Sequence, residues 1–559
     1  MGGNKLIKYF NSYDQTHEPA LIFRATCVLV NKFKMEQNYY EIRPVQKLFN
    51  YCTDCKPKPG SAAEFEAFTN IQLGLCNQFE LFFPDNLASK TIVVIPSLSL
   101  DQEVLAKVKG SLHYEERLLC LLMLLRMPRA NVIYVSSMPV DPVIIDYYLH
   151  LLPGITGYHA RERLTLIPCY DASPIPLTKK ILQRPRLIER IKKAIPAGNV
   201  AHIACFNTTG LERTLSVLLG IPIYGCDPLL VYLGTKSGSR RTFIKAGIPV
   251  PSGAENLTGY DDIVHAIVAL KDMHPGIKKA VVKLNDGFSG EGNAVMKYPE
   301  NLCGRELEEW LQENLLEILK PVSPDVSIDM FIEKFILMEG IVEAYVEGNE
   351  KTAPSVQCRI NPKGDVDIIS THDQVLSGDD GQVFEGAHFP ADEQYRTTIA
   401  HLTRCIAEVL KHEGVIGRFG VDFISVRENN EWTHQAIEIN LRKGGTTHPF
   451  LMLQFLTNGH YDEATGIFET PNRQQLYYFA SDNVQSNAYK GLPPRDLIDI
   501  AMFHGLHFDG ATQKGVMFHM IGALSQYGKM GMVCIGASRE EAYSLYLKTI
   551  AVLDAETES

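Results

Sequence analysis

The chain has 559 residues and a mass of 62.5 kDa, and its 45% apolar and 21% charged residues exclude a disordered, collagen-like or coiled-coil protein. At about 150 residues per domain, this length predicts three or four domains. The net charge of −11 and the pI of about 5.9 disfavour a nucleic-acid partner.

The cysteines and the apolar runs indicate in which cellular compartment the protein is expected. The cysteines are scattered singly and the polar start of the chain lacks a signal-peptide pattern, which predicts a reducing, cytoplasmic environment. The strongest apolar run, LLCLLMLL at 118–125, is far shorter than the roughly 20 residues that a bilayer requires. We therefore expect a buried helix there and no membrane partner.

Residues 1–88 are rich in aromatic residues and Asn, and we interpret them as an N-terminal accessory region. Cys52 and Cys55 form a lone CTDC there. Structural metal sites need a second pair of ligands, and none lies nearby, so the pattern does not favour a metal centre.

Residues 89–232 alternate between apolar strand patterns such as TIVVI and helix patterns such as VIIDYYLHLL. This alternation predicts a Rossmann-like domain with a parallel sheet. The dinucleotide fingerprint GxGxxG is absent from its turns, which disfavours a nicotinamide dehydrogenase.

The segment KKAVVKLNDGFSGEGNAVMKY predicts two strands joined by a glycine-rich loop that contains Gly287, Gly290 and Gly292. Glycines let backbone N–H groups approach phosphate oxygens, and Lys283 at the end of the first strand adds a positive charge. The alternative interpretation is a plain hairpin with a mobile tip. A Walker-type loop is excluded because GxxxxGK[ST] does not occur.

A second hairpin is predicted in GRFGVDFISVRENNEWTHQAIEIN. A turn near residue 430 sets Asp422 opposite Glu438, and alternation places Asn440 on the same face. Two carboxylates about 5 Å apart repel by roughly 3 kcal/mol at an effective dielectric near 20. A bound cation removes this cost, and the oxygen ligands suit Mg²⁺. The alternative is an exposed hairpin with its charges in solvent.

The sequence RKGGTTH follows the hairpin directly, from Arg442 to His448. Cations, bare backbone amides and hydroxyls beside a metal suit an anionic transition state and a carboxylate substrate. His448 by itself is more typical of a packed or capping histidine than of a catalyst.

The order of these features between Gly234 and Gly459 resembles the ATP-grasp superfamily, which joins a carboxylate to an amine. The resemblance implies two ATP lysines, a loop over the phosphates, an adenine pocket with Glu333 and the backbone of Phe335 at the base, and Glu343 or Glu339 at the ribose. The implied nucleotide ligands are Lys236, Lys283, Gly287, Ser289, Gly290, Gly292, Glu333, Phe335 and Glu343. Asp422, Glu438 and Asn440 would hold two Mg²⁺ ions, and the Gly445 N–H would be an oxyanion donor.

Within the superfamily, PSVQCRINPKGDVDIISTHDQVLSG with GRFGVDF and EINLRKGGTTHP looks most similar to the pheganomycin-type peptide ligases. This likeness implies a mixed α/β and α+β fold. A Rossmann-like pre-ATP-grasp domain (89–232) would precede a two-lobed ATP-grasp core (233–470) and a small C-terminal α/β domain (471–559). It assigns Arg359 and Arg418 to phosphates or substrate, and Arg442 to the substrate carboxylate.

The C-terminal segment has two interpretations. It either packs as a closing domain or contributes Tyr478, His519 or Lys529 to an acceptor pocket.

The resemblance implies an ATP-dependent carboxylate-amine ligase that acts through an acyl phosphate and releases ADP and phosphate. Its partners would be a small carboxylate and the amine of an amino acid or peptide, and the multidomain build is consistent with a homodimer. Two alternatives stay open at this point. One is an ATP-grasp kinase without an amine acceptor, and the other is a nucleotide-binding protein without turnover.

Overall fold

A computed structural model describes residues 56–82, 86–99, 110–287, 292–323, 326–377 and 383–558. The CTDC of Cys52 and Cys55, and with it most of the expected accessory region, lies outside the described residues. Among the helices of the described ranges, none combines the length and the apolarity needed to cross a bilayer.

The first layer is a four-stranded parallel sheet in the order β3-β2-β1-β4. Its strands are β1 (Lys90–Ile95), β2 (Ala130–Ser136), β3 (Leu164–Pro168) and β4 (Val200–Cys205). The helices around it are α1 (Ala62–Phe82), a 3₁₀ helix (Ser111–Arg126), α2 (Pro142–His150), α3 (Gly157–Arg161), α4 (Leu177–Leu182), α5 (Pro185–Ala194) and α6 (Gly210–Leu219). The parallel sheet and the buried helix of the apolar run are both confirmed.

A second 3₁₀ helix (Pro228–Gly234) and α7 (Lys236–Lys245) lead into a five-stranded antiparallel sheet in the order β5-β9-β6-β7-β8. Its elements are β5 (Gly253–Leu257), α8 (Tyr260–Met273), β6 (Lys279–Leu284), β7 (Asn293–Lys297), α9 (Gly304–Ile318), β8 (Lys320–Pro321), α10 (Ile328–Met338) and β9 (Gly340–Ala344). The apolar stripes of α8, α9 and α10 pack on one face of this sheet and form its core. We call this unit the small lobe.

The large lobe is built on an eight-stranded sheet in the order β14-β13-β10-β11-β12-β17-β19-β18. Its elements up to residue 457 are β10 (Glu350–Ile360), β11 (Val366–Ser377), β12 (Val383–Phe389), α11 (Arg396–His412), β13 (Gly417–Glu428), β14 (Glu431–Asn440) and α12 (Thr447–Thr457). The remaining elements are β15 (His460–Asp462), β16 (Ile467–Glu469), β17 (Tyr477–Gln485), α13 (Pro494–Phe503), β18 (Gly515–His519), α14 (Leu524–Tyr527), β19 (Lys529–Gly536) and α15 (Arg539–Glu558).

Strands β17, β18 and β19 come from the segment after residue 471, yet they belong to the same sheet as β10 to β14. Each pair of neighbouring strands in this sheet is antiparallel. The parallel sheet and the antiparallel sheets together confirm the expected mixed α/β and α+β architecture.

The two lobes are joined where β9 leaves the small sheet and the chain continues into β10 of the large sheet. This link lies beside the glycine-rich hairpin of β6 and β7. It therefore brings the phosphate-loop candidate and the carboxylate hairpin to the same junction.

Candidate active site

A cavity of about 1010 Å³ lies at this junction. Its walls come from the small lobe, from the β13–β14 hairpin and, on a third side, from the 3₁₀ helix Ser111–Arg126 and β19. The predicted site residues that line it are Lys236, Lys283, Gly287, Gly292, Glu343, Asp422, Glu438, Asn440, Arg442 and Gly445. The structure thus brings together residues that lie more than 200 positions apart in the chain.

The carboxylate pair forms as the hairpin pattern predicts. Asp422 is the register partner of Glu438, and Gly420 is the partner of Asn440. The Asn440 amide donates to Asp422 Oδ2 at 2.9 Å, and the Gln374 amide donates to Asp422 Oδ1 at 3.0 Å. Burial, and then the neighbouring Glu438 carboxylate, raise the pKa of Asp422 to about 7.

Glu438 has a different environment because Lys236 reaches it from the start of α7. Lys236 Nζ lies 2.5 Å from Glu438 Oε2. Burial acts to raise the pKa of Glu438, but the Lys236 ammonium and then Arg442 outweigh it and hold the pKa below its ordinary value. The Ser239 hydroxyl of α7 accepts from the Ile439 N–H at 3.0 Å, which fixes the helix against β14.

Lys283 and Glu343 lie on neighbouring strands of the small lobe, and Lys283 is the register partner of Ile341. Since side chains alternate along a strand, Lys283 and Glu343 share a face, and they form an ion pair. Arg240 Nη1 also approaches Glu343, at 3.3 Å. The Glu343 side chain is 3% exposed, so two cations satisfy a carboxylate at the cavity wall.

The glycine-rich loop is anchored at its base. Asn285 accepts through its backbone oxygen from the Lys236 N–H at 3.1 Å and through its side chain from the Ser237 N–H at 2.9 Å. A Cβ atom on Gly287 would lie 3.1 Å from Gly292 Cα, so the two glycines allow the loop ends to approach closely. Ser289 and Gly290 lie outside the described residues, and their assignment stays a prediction.

The structure places Glu333 and Phe335, the expected adenine residues, away from the cavity wall, and their contact with adenine stays a prediction. Both lie on α10, where Glu333 is exposed and Phe335 is fully buried in the core of the small lobe. Neither lines the cavity. The residues that do line it are Ala344, Tyr345 and Val346, at the link between the lobes. Glu339 is exposed and also lies off the cavity wall.

The signal for this link was present in the sequence. EAYVEG at 343–348 repeats the acidic and aromatic spacing of EKFILM at 333–338. The apolar residues Phe331 and Phe335 are spaced by one helical turn and pack inward. This spacing identifies EKFILM as part of a helix. EAYVEG is then the segment that links the two lobes.

Arg442 and Gly445 follow the hairpin and line the cavity beside the carboxylates. The Arg442 guanidinium carbon lies 5.9 Å from the centre of the Phe206 ring, at the end of β4. Burial lowers the pKa of Arg442, which stays cationic near neutral pH because its ordinary value is 12.5. A cation and the backbone of Gly445 therefore line the cavity beside the carboxylate pair, on the side of the parallel sheet.

Arg359 and Arg418 are register partners on β10 and β13, but the structure does not bring them to the cavity wall. Arg359 donates to Asp367 Oδ2 from Nε at 3.0 Å and from Nη2 at 2.7 Å. Burial, together with Arg359, lowers the pKa of Arg418 to about 10. These contacts replace the expected phosphate contact of Arg359 by an ion pair and leave the role of Arg418 as a prediction.

The C-terminal candidates separate into core and cavity residues. His519 and Tyr478 are 2% and 0% exposed, and neither lines the cavity, whereas Lys529 does. His448 is also buried, where its Nε2 and the Tyr148 hydroxyl lie 3.0 Å apart. Burial lowers the pKa of His519 to about 3 and that of His448 well below 6.5, so both rings are neutral packing groups.

The residues present fit a divalent cation. Among the described residues, no group of three or more His, Cys, Asp or Glu side chains gathers around one point. The ligands available to a metal ion in the cavity are two carboxylates and the Asn440 amide. Mg²⁺ commonly takes one or two carboxylates and completes its shell with water and phosphate oxygens. The Lys236 ammonium at Glu438 shows that this pair attracts a cation.

Comparisons with known proteins agree with this geometry. A family described as "IQCH-like, ATP-grasp" matches residues 229–302 and 301–464, and a family described as "PGM1 C-terminal domain" matches residues 496–549. An L-propargylglycine–L-glutamate ligase of Streptantibioticus cattleyicolor is 28% identical over 485 residues, which cover 83% of this chain and 94% of that protein.

The IQ motif-containing protein H of Danio rerio is 22% identical over 433 residues, which cover 69% of this chain and 40% of that protein. Among solved structures, the N5-carboxyaminoimidazole ribonucleotide synthetase purK is 14% identical with a TM-score of 0.47, covering 84% of this chain and 98% of that chain. A biotin carboxylase from Campylobacter jejuni is 15% identical with a TM-score of 0.49, covering 84% and 95%.

A glycine-rich hairpin, two lysines and a carboxylate hairpin surround one cavity. The part of the chain that supplies them, residues 229–464, is similar to a family of ATP-grasp proteins. The chain's likeness to the ligase from Streptantibioticus cattleyicolor confirms the resemblance to the pheganomycin-type ligases that the sequence motifs indicate.

Proposed function

We propose that the protein is an ATP-dependent carboxylate-amine ligase that joins a small carboxylic acid to an amino acid. One observation carries this proposal: a single cavity holds Lys236 and Lys283, the Asp422–Glu438–Asn440 set and Arg442. The cavity wall therefore combines two lysines suited to phosphates, a set of oxygen ligands suited to a metal ion, and an arginine suited to a carboxylate. The ligase among the relatives supports the same class of enzyme.

ATP binds with its base at the link formed by Ala344, Tyr345 and Val346, and with its phosphates toward Lys236 and Lys283. The lysines neutralise the phosphoryl group as it is transferred. The glycine-rich loop covers the phosphates and excludes water, which would otherwise hydrolyse an acyl phosphate.

Asp422, Glu438 and Asn440 hold Mg²⁺, as two ions in this proposal. When bound, the metal supplies charge stabilisation for the oxygens of the transferred phosphoryl group. Arg442 orients the substrate carboxylate so that its oxygen attacks the terminal phosphorus of ATP. The Gly445 N–H then donates to the oxyanion that forms when the amine attacks the acyl carbon.

The test combines two readouts on the wild-type enzyme. ADP release is measured with Mg²⁺, ATP and pools of small carboxylic acids, with hydroxylamine as the amine. A ligase forms a hydroxamate from the acyl phosphate, and splitting the pools identifies the acid. ADP release with a phosphorylated product and no hydroxamate contradicts the ligase and favours a kinase. ATP binding without ADP release across all pools contradicts both enzymes.

A further inference from the structure

The end of the cavity away from the small lobe is built by residues from outside the ATP-grasp core. Tyr114 and Arg117 come from the 3₁₀ helix Ser111–Arg126, Asp482 comes from β17 and Lys529 begins β19. The preceding domain and the C-terminal strands therefore share one wall. Phe206, at the end of β4, lies behind this wall.

The Arg117 guanidinium is fixed in position by its neighbours, and not all of its N–H groups are hydrogen-bonded. Its guanidinium pairs with Asp482 and stacks 4.2 Å from the centre of the Tyr114 ring. Arg117 is only 9% exposed, and its Nε atom is buried with no hydrogen-bond partner. Arg117 lines the cavity, so its guanidinium can add a charge-assisted hydrogen bond to a ligand carboxylate there.

Lys529 adds a second positive charge to this end. Its ammonium donates to the Tyr114 hydroxyl at 3.1 Å. Tyr114 thus contacts both cations and sets their spacing. One cation on the ring of Tyr114 and another on its hydroxyl, both lining the cavity, form a site for a carboxylate.

Phe206 lies close to both arginines. The guanidinium carbons of Arg117 and Arg442 each lie 5.9 Å from the centre of the Phe206 ring. Arg442 acts on the charges of Asp422 and Glu438, so a carboxylate at Arg442 is the one that is activated. Arg117 is paired with Asp482, so a carboxylate bound to Arg117 is a different group, which stays unreacted.

Asp482 supplies the complementary charge. A Cβ atom on Gly445 would lie 3.5 Å from Asp482 Oδ2, so this carboxylate stands between Arg117 and the glycine pair. A positive amino group bound to Asp482 lies next to the Gly445 backbone, where we place the oxyanion. The pair Arg117 and Asp482 therefore matches the two charges of a free amino acid.

We propose that Arg117 and Lys529 bind the α-carboxylate of the acceptor and that Asp482 binds its α-amino group, so that the acceptor is a free α-amino acid and not a peptide amine. This inference rests on the proposed ligase function. In the second half-reaction Asp482 accepts one proton from the acceptor ammonium, which frees the nitrogen lone pair. The nitrogen then attacks the acyl carbon and forms the C–N bond, and the resulting oxyanion collapses as the bond from acyl carbon to phosphate oxygen breaks. Phosphate leaves with the electron pair and takes the second proton of the nitrogen.

The experiment measures binding, so it does not depend on turnover. Each of the proteinogenic L-amino acids, and its C-terminal amide, is titrated calorimetrically into the full-length enzyme with Mg²⁺ and a non-hydrolysable ATP analogue. We expect at least one amino acid to bind, with its amide about 10-fold weaker or worse. Arg117→Ala should weaken binding of that amino acid about 10- to 100-fold, because a charge-assisted hydrogen-bond pair is lost. Arg117→Lys should restore part of it.

Two further variants serve as a check and a control. Asp482→Asn should remove the preference for the amino acid over its Nα-acetyl derivative, and it covers the case in which Arg117→Ala does not fold. Arg161→Ala removes the arginine of another Arg–Asp pair of the same domain, whose side chain is 46% exposed, and should bind as the wild type does.

Equal binding of acid and amide, wild-type binding by Arg117→Ala, or no binding of any amino acid would overturn the proposal. Failure of the ligase function is separate. In that case the amino acid binds through Arg117, but neither ADP nor hydroxamate forms in the wild-type assay.

Discussion

Lys236 Nζ and Glu438 Oε2 form a 2.5 Å ion pair between the start of α7 and the carboxylate hairpin. The lysine side chain is 11% exposed and that of the glutamate 25%, so the pair is only partly solvated. Both residues have proposed ligands elsewhere, a phosphate for the lysine and a metal ion for the glutamate. Their contact means that each of these ligands replaces a bond that the protein already makes.

Replacing Lys236 by Met tests this competition. Loss of the ammonium should weaken ATP binding about 10- to 100-fold, because a charge-assisted contact to phosphate is lost. The same change should tighten binding of Mg²⁺ in the absence of nucleotide, because the competing cation at Glu438 is gone. Calorimetric titration with each ligand alone measures both effects. Lys245→Met, which removes a half-exposed lysine further along α7, is the control; weaker Mg²⁺ binding in Lys236→Met would contradict the competition.

The metal assignment predicts a loss of turnover. Asp422→Asn and Glu438→Gln should each lower kcat for ADP release by about 100-fold or more, because the metal supplies several kcal/mol of charge stabilisation. Removal of Mg²⁺ by EDTA should stop the wild-type enzyme, and added Mg²⁺ should restore it. Glu428→Gln changes an exposed carboxylate on the same strand and should turn over normally. A wild-type rate in either ligand variant is incompatible with the assignment.

If the base of ATP binds at the link between the lobes, substitutions in EAYVEG should change the KM for ATP and substitutions in EKFILM should not. Ala344→Leu adds bulk at the link between the lobes and should raise the KM for ATP about 10-fold through overpacking against the base. Glu333→Ala, on the exposed face of α10, should leave the KM unchanged. Steady-state kinetics at varied ATP give both values. The reverse result would return the base to α10.

The buried pair of Lys283 and Glu343 predicts a stability difference. Glu343→Ala leaves the Lys283 ammonium without its partner, whereas Arg240 keeps its ion pair with Glu255. The change should lower the free energy of unfolding by about 3–5 kcal/mol. Glu309→Ala removes the partner of Arg305 in an exposed pair with side chains 89% and 67% exposed and should cost less than about 1 kcal/mol. Urea unfolding followed by circular dichroism compares the two variants. Equal losses in the free energy of unfolding would contradict the prediction that burial makes the Glu343 ion pair more important for stability.

The carboxylate hairpin could be predicted because its information is local. Asn429 and Asn430 both have positive φ, 51° and 66°, which is typical of the two-residue turn that a right-handed hairpin requires. With this two-residue turn, strict alternation pairs Phe423 with Ala436 and would set Asp422 opposite Ile437. The register shift between Asp422 and Phe423 moves the pairing by one residue and sets Asp422 opposite Glu438. The shift itself was not visible in the sequence.

Arg117 could not be predicted in the same way. It sits at the edge of the apolar run 118–125, and its partner Asp482 is 365 residues away. Only the packing of the 3₁₀ helix against the C-terminal strands brings them together. The two acidic and aromatic segments are harder to tell apart. EKF and EAY have similar compositions, and the distinction between helix and link rests on the one-turn spacing of Phe331 and Phe335, which pack into the core of the small lobe.

The C-terminal strands have a consequence for how the protein is made. Since β17 and β19 complete the sheet that carries Asp422, and Lys529 begins β19, the cavity wall does not exist until the last strand has been synthesised. A nascent chain that ends before β17 leaves β12 as an unpaired edge, which is prone to pair with other chains. Chains that end before β17 therefore carry no complete cavity, and the wall that holds Lys529 forms only after β19 has been made.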